Sequence, residues 1–389
     1  MSGAGAEISG ICPATGAGLA LRLEGARIAA LGAAEGVAEG AGYLAPGLID
    51  LQLNGFGGHD LNSGALTPDT VSALCRRLLQ EGVTRFLPTI ITAAPEAMCD
   101  AMAAIARACA QDRIAQAMVA GIHVEGPALD PEDGPRGAHP AEHVRPPDLA
   151  EVARWQAASG GRVRMVTLSP HWPEAPGVIA ALAAQGVHVA LGHTGAGPAQ
   201  IAAAVDAGAT LSTHLGNGAA AMLPRHPNLI WAQLAEDRLT ATLIADGHHL
   251  PAETLTVFLR AKGLERAVLV SDAAAPGGCA PGIYCQPIGA EVELSPEGRL
   301  SMRGTPYLAG AARSLSENVA LAMRMAGLTL ARALRLATAN PARFAGDEDG
   351  AGGVLAGGAR ADLIRFDHTP GAGRLTIREV WLAGEKVVG

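Results

Sequence analysis

Two histidines at matching positions carry the first chemical signal in this chain. His193 follows the apolar run Val187 to Leu191, and His214 follows the run Ala209 to Leu211. An imidazole just past the carboxyl end of a buried strand is held rigidly, with one ring nitrogen free for a metal. Their separation, 214 minus 193 or 21 residues, is of the order of one strand-helix repeat, so the rings would come from neighbouring strands. A lone histidine in such a place is more often a hydrogen-bonded core or surface group. Partners therefore decide the matter, and two carboxylates qualify: Glu125 in His123-Val124-Glu125-Gly126-Pro127 and Asp272 in Val270-Ser271-Asp272, each after an apolar run. One carboxylate, two imidazoles and a water complete a four-coordinate catalytic zinc site. Asp272 beside it is suited to take a proton from attacking water and return it to a leaving amine. Each carboxylate alone could instead cap the next helix, and it is their arrival with both histidines at one rim that favours chemistry.

Such a rim needs a scaffold of parallel strands. Candidate strands are Gly47 to Leu53, Val83 to Ile91, Met118 to Val124, Val163 to Leu168, Val187 to Leu191, Thr210 to Thr213, Leu239 to Ala245 and Val268 to Ser271. Between them lie helical patterns at Pro68 to Glu81, Pro95 to Ala110, Pro147 to Ala158, Pro176 to Gln185, Pro198 to Ala207 and Pro251 to Lys262. Proline suits the first helical turn, where its missing N–H had no partner. Eight such units predict an α/β fold, a (β/α)₈ TIM-like barrel whose chemistry sits at the carboxyl ends of the strands. A doubly wound open sheet is the alternative, but Gly55-Phe56-Gly57-Gly58 lacks the glycine spacing of a dinucleotide turn. Short-strand patterns at Leu19 to Leu31, Ala361 to Asp367 and Leu375 to Val388 predict a small β-sandwich domain built from both termini. The expected division is 1–45 and 346–389 for the small domain and 46–345 for the barrel.

Composition excludes several partners. The net charge of −8, with no basic run and 3% aromatic residues, disfavours nucleic acid. No stretch of about 18 uninterrupted apolar residues is present, so no membrane span is expected. The first ten residues lack a basic and then apolar leader, and a cytoplasmic location is expected. The six cysteines form no Cys-x-x-Cys pair and are read as reduced thiols, with Cys279 and Cys285 in a loop that could reach substrate.

Taken together, Pro46-Gly47-Leu48-Ile49-Asp50-Leu51-Gln52-Leu53-Asn54-Gly55, His123-Val124-Glu125-Gly126-Pro127, Gly192-His193-Thr194, Thr213-His214-Leu215-Gly216-Asn217, Ala245-Asp246-Gly247 and Val270-Ser271-Asp272 resemble the N-acetylglucosamine-6-phosphate deacetylases of the amidohydrolase superfamily. The likeness continues through Ala339-Asn340-Pro341-Ala342 to Val388. It implies that Glu125, His193 and His214 bind one divalent metal per subunit, zinc in the first instance, and that Asp272 is the general base and acid. It implies that His139 polarises the acetamide carbonyl and that Asn217, Gly218, Arg225 and His248 contact a phosphorylated amino sugar. Arg225 would reach the neighbouring subunit's site in a homodimer. Strand 1 carries Gln52-x-Asn54 where many amidohydrolases carry His-x-His; amides are poor zinc ligands, so a second metal position is expected to be vacant. Deacetylation of a related N-acyl amine, N-acetylgalactosamine 6-phosphate or a cyclic amide, and a barrel that has lost catalysis, are the competing readings.

Overall fold

A computed structural model describes residues 7–37, 40–286, 290–346 and 352–389. Eight parallel strands run β1 Leu48–Leu53, β2 Val83–Ile91, β3 Ile122–Glu125, β4 Val163–Leu168, β5 His188–Leu191, β6 Leu211–Ser212, β7 Thr240–Leu243 and β8 Ala267–Leu269, each paired with the next in order. All nine residues of β2 are buried, as expected for parallel strands covered on both faces. The ring closes between its ends, where Asp272 N donates to Gln52 O at 2.9 Å and Asn54 N to Ala273 O at 2.9 Å. Leu51, Leu87, Met165, Ala190, Leu211, Ile244 and Val268 form one buried cluster drawn from seven strands or their ends, the packed interior that a barrel of this size requires.

Helices fill the crossovers because their first turns are prepared. Thr67 Oγ1 accepts from Thr70 N at 3.2 Å ahead of Pro68, which opens the helix Pro68–Leu79. Helices Pro95–Gln111 and Pro198–Asp206 also open on proline. One boundary differs from expectation: the third strand starts at Ile122, and the residues before it form the helix Arg113–Met118. Asp112 explains this, since its Oδ1 accepts from Ile114 N at 2.8 Å and caps a new helix where the apolar pattern alone reads as strand. The helix Leu315–Ala326 was not among the expected ones, although Ser314 and Glu317 make a capping box visible in the sequence.

The termini meet in one seven-stranded sheet, in the order Glu385–Val388, Thr376–Leu382, Leu363–Asp367, Tyr43–Pro46, Glu7–Ile11, Gly18–Glu24 and Arg27–Ala33. Ile8, Leu21, Leu23, Ile28, Leu44, Leu363 and Trp381 pack its core. A further sheet was not foreseen: Gly282–Gln286, Ala290–Leu294 and Leu300–Met302 pair antiparallel in the connection that leaves β8. No helix among the described residues is long and apolar enough to cross a membrane.

Candidate active site

β3 ends on Glu125, and the turns after β5 and β6 carry His193 and His214. Asp272 lies just beyond β8. Among the described residues only four non-glycine positions have positive φ, and three of them are His193 (49°), His214 (27°) and Asp272 (47°). L-residues avoid that region, and where they are held in it the surroundings tend to be functional. All four side chains are buried, at 3% exposure for Glu125, 7% for His193, 3% for His214 and 8% for Asp272.

Three donor atoms converge. Glu125 Oε1 is 3.0 Å from His214 Nε2 and 3.3 Å from His193 Nε2, and the two Nε2 atoms are 3.1 Å apart. Tetrahedral ligands about 2.0 Å from a zinc ion lie about 3.3 Å from one another, so this triangle fits one ion. The residues present therefore suit a divalent metal, and the three form a possible metal-binding group. His193 Nδ1 donates to Pro135 O at 2.8 Å, which leaves the Nε2 lone pair for coordination, the usual outer support of a ligating imidazole. Burial alone would raise the Glu125 pKa, yet the close approach of His193 and His214 holds it well below the carboxylate range.

The remaining expected residues divide. His139 is 6% exposed and its ring packs edge-on against His193 with centroids 4.5 Å apart. Thr92 Oγ1 is 3.0 Å from His139 Nδ1 and 3.4 Å from Glu125 O. The hydroxyl donates to the Glu125 carbonyl, and His139 Nδ1 meets the hydroxyl oxygen, so that ring nitrogen is taken up by Thr92. Burial, then the charge of His193, pushes the His139 pKa down to about 3, so the ring is neutral. Asn217 and Gly218 line the cavity, and Asn217 Nδ2 donates to His214 O at 3.2 Å. His248 does not line it; its Nε2 faces Glu297 O at 3.2 Å. The neighbouring His249 takes that place, because Asp246 Oδ2 accepts from its Nδ1 at 2.8 Å and Oδ1 accepts both His248 N and His249 N. Arg225 is exposed, does not line the cavity, and its side chain makes no hydrogen bond or ion pair among the described residues. Cys279 and Cys285 carry free thiols outside the cavity wall.

Sequence reasoning missed several neighbours. His123 sits buried beneath the rim with Nδ1 on Leu51 O at 3.1 Å and Nε2 on Thr167 Oγ1 at 2.7 Å, a core histidine whose pKa burial lowers to about 4. Asp60 and Gln286 line the cavity as well; Asp60 stands in the hairpin Gly55–Phe56 to His59–Asp60 and Gln286 in the unforeseen sheet. Neither had a signal in the sequence beyond its polarity. The cavity, about 310 Å³ in volume, is of small-ligand size. Its arrangement can bind one cation, polarise a carbonyl from His139 and move a proton at Asp272.

Comparison with known proteins gives consistent matches over nearly the whole chain. The amidohydrolase family profile matches residues 43–387. N-acetylgalactosamine-6-phosphate deacetylase of Escherichia coli O157:H7 is 35% identical over 346 residues, covering 89% of this chain and 88% of that one. N-acetylglucosamine-6-phosphate deacetylase of Bacillus subtilis (strain 168) is 31% identical, covering 82% and 80%. The structure of an N-acetyl-D-glucosamine-6-phosphate deacetylase mutant from Mycobacterium smegmatis, in complex with N-acetyl-D-glucosamine-6-phosphate, superposes with a TM-score of 0.85 at 33% identity, covering 96% and 95%.

Proposed function

The chain belongs to the amidohydrolase family and is a hydrolase of amides, and from that premise we propose that it removes the acetyl group of N-acetylglucosamine 6-phosphate, giving the amino sugar phosphate and acetate. The observation that carries this reading is the convergence of Glu125, His193 and His214 on one point of a cavity that Asp272 also lines. Glu125, His193 and His214 are the residues to hold one divalent ion, zinc in our reading. Such an ion would lower the pKa of water and polarise the acetamide carbonyl.

The protein's own groups account for the rest. His139 polarises the carbonyl oxygen and stabilises the charge that grows there. Asp272, ionised, accepts a proton from water as it attacks the carbonyl carbon, then delivers that proton to the nitrogen as the C–N bond breaks. Burial, followed by the charge of Glu125, raises its pKa to about 6, which makes it a stronger base than an ordinary carboxylate. Asn217, Gly218 and, in place of His248, His249 are the candidates for sugar contacts.

The described residues of the cavity wall include Asp60, Glu125 and Asp272 but no lysine or arginine. A phosphate dianion needs a cation from elsewhere, and the exposed, unpartnered Arg225 supplies one if a second copy brings it to the neighbouring cavity. Met222 and Trp231, 88% and 49% exposed nearby, support a homodimer there. The division at 45/46 and 345/346 belongs to the same proposal, supported by the pairing of Leu363–Asp367 with Tyr43–Pro46. The relative from Escherichia coli O157:H7 favours a second substrate, the galacto epimer.

The test is amine release by zinc-loaded protein from N-acetylglucosamine and N-acetylgalactosamine, each with and without the 6-phosphate, together with metal analysis. Turnover of the phosphorylated glucosamine derivative with one metal per subunit is expected. Preference for an unphosphorylated amide, or two metals at high occupancy, would refute it.

A further inference from the structure

We propose that Gln52 and Asn54 are positioning residues, Gln52 orienting Glu125 and Asn54 orienting Asp272. The inference rests on the reading of Glu125 as metal ligand and Asp272 as base, and adds the groups that orient both.

Gln52 Nε2 donates to Glu125 Oε1 at 2.8 Å, and Asn54 Nδ2 donates to Asp272 Oδ1 at 2.7 Å. The amide nitrogens must be the ends that face the carboxylates, because an ionised carboxylate only accepts. One donor lies in β1 and the other just past its end, two residues on. That strand is bonded on either side of the site: its side chains reach β3 at Glu125 and the turn after β8 at Asp272, while Gln52 O also accepts Asp272 N at 2.9 Å. Neutral N–H groups thus stand against both carboxylates.

Each hydrogen bond also chooses an oxygen. Glu125 Oε1 accepts from Gln52 while lying at hydrogen-bond distance from His214 Nε2, so the carboxylate cannot turn without losing a charge-assisted bond. With Oδ1 of Asp272 engaged by Asn54, Oδ2 is the atom left to take a proton. The outer oxygens, Gln52 Oε1 and Asn54 Oδ1, are buried with no partner in the described protein, and Asn54 lines the cavity. Asn54 Oδ1 is thus an acceptor open to water or to an N–H of the substrate, whereas Gln52 lies behind the cavity wall. Gln52 is 1% exposed, which excludes bulk solvent as its partner.

Gln52→Met and Asn54→Leu keep approximate shape and remove the donors. Zinc affinity, read by competition with a chelator and zinc alone, should fall 10- to 100-fold in Gln52→Met, the usual effect of losing the group that orients a ligand. Asn54→Leu should keep zinc affinity within about threefold and leave KM little changed, yet lose about 10- to 100-fold in kcat. Thermal melts check folding; if either variant is unfolded, the smaller Gln52→Ala and Asn54→Ala carry the same expectations. Unchanged affinity in Gln52→Met, unchanged kcat in Asn54→Leu, or equal loss of zinc in both would overturn the assignment, the last because it marks a merely structural strand. Failure of the wild-type protein to cleave any of the sugars would sink the substrate reading alone, and the zinc arm on Gln52 would still decide this inference.

Discussion

Gly218→Ala is the most revealing single methyl that could be added to this protein. Gly218 has φ +56°, and a Cβ there would lie 2.8 Å from His193 Nδ1, 3.0 Å from Cγ and 3.1 Å from Cε1. Contacts under 3.0 Å force a shift, and neither side yields freely. The imidazole is tied by Nδ1 to Pro135 O at 2.8 Å, and the loop is tied by Thr194 N to Gly218 O at 3.2 Å. Two costs follow. The left-handed backbone charges an alanine about 1–2 kcal/mol, and displacing a ligand from its outer hydrogen bond weakens metal binding about 10- to 100-fold, or roughly 1.4–2.7 kcal/mol. Gly160→Ala separates them, because Gly160 has φ +64° but open space around its Cβ. Both variants should unfold earlier without metal; only Gly218→Ala should lose zinc affinity in a chelator competition and show a reduced rise in melting temperature on adding zinc. Equal zinc affinity in the two would show that His193 is not held against Gly218 as described, or that it does not bind the metal.

Other perturbations test the remaining roles. Asp272→Asn should keep metal and fold but lose about 10²- to 10⁴-fold in kcat, since an amide cannot take the proton; a kcat within tenfold of wild type would place the base elsewhere. Arg225→Ala should raise KM for the phosphorylated substrate and spare its unphosphorylated analogue, and mixing it with Asp272→Asn should restore activity through dimers that hold one intact site. A monomer in sedimentation would end that idea. Asp50 is 0% exposed and burial, against hydrogen bonds from Ser271, pushes its pKa up to about 7, whereas the unfolded chain releases that proton near 3.9. The folded state thus binds the proton more tightly, and the associated stability is full below about pH 4 and lost as pH rises through about 7. Asp50→Asn mimics the protonated form, so its urea midpoint should gain on the wild type between pH 4 and 8, by at most about 4 kcal/mol of stability; a constant difference would refute the shift.

Periodicity made the barrel legible, because parallel strands are buried on both faces and read as apolar runs. The strand that was started too early failed for a local reason: Asp112 ends one helix and caps another, and a cap outranks an apolar pattern. Glu125, His193, His214 and Asp272 were legible because each follows such a run, where a polar residue interrupts the pattern. His249 was not separable from His248, since adjacent residues share every sequence signal. Only the Asp246 hydrogen bond to its Nδ1 distinguishes them. Asp60 and Gln286 reach the cavity from a hairpin and an added sheet, whose placement depends on contacts distant in sequence.

The left-handed backbone at His193, His214 and Asp272 sets stability against the proposed function at those very residues. Glycine at any of the three would relieve about 1–2 kcal/mol of steric cost, offset in part by about 0.5–1 kcal/mol of added chain freedom, while removing a proposed ligand or the proposed base. A laboratory selection for heat resistance alone, with metal withheld, is therefore expected to drift toward glycine at 193, 214 and 272. Hardened but inert descendants would reveal where natural selection has been defending activity at the expense of the fold.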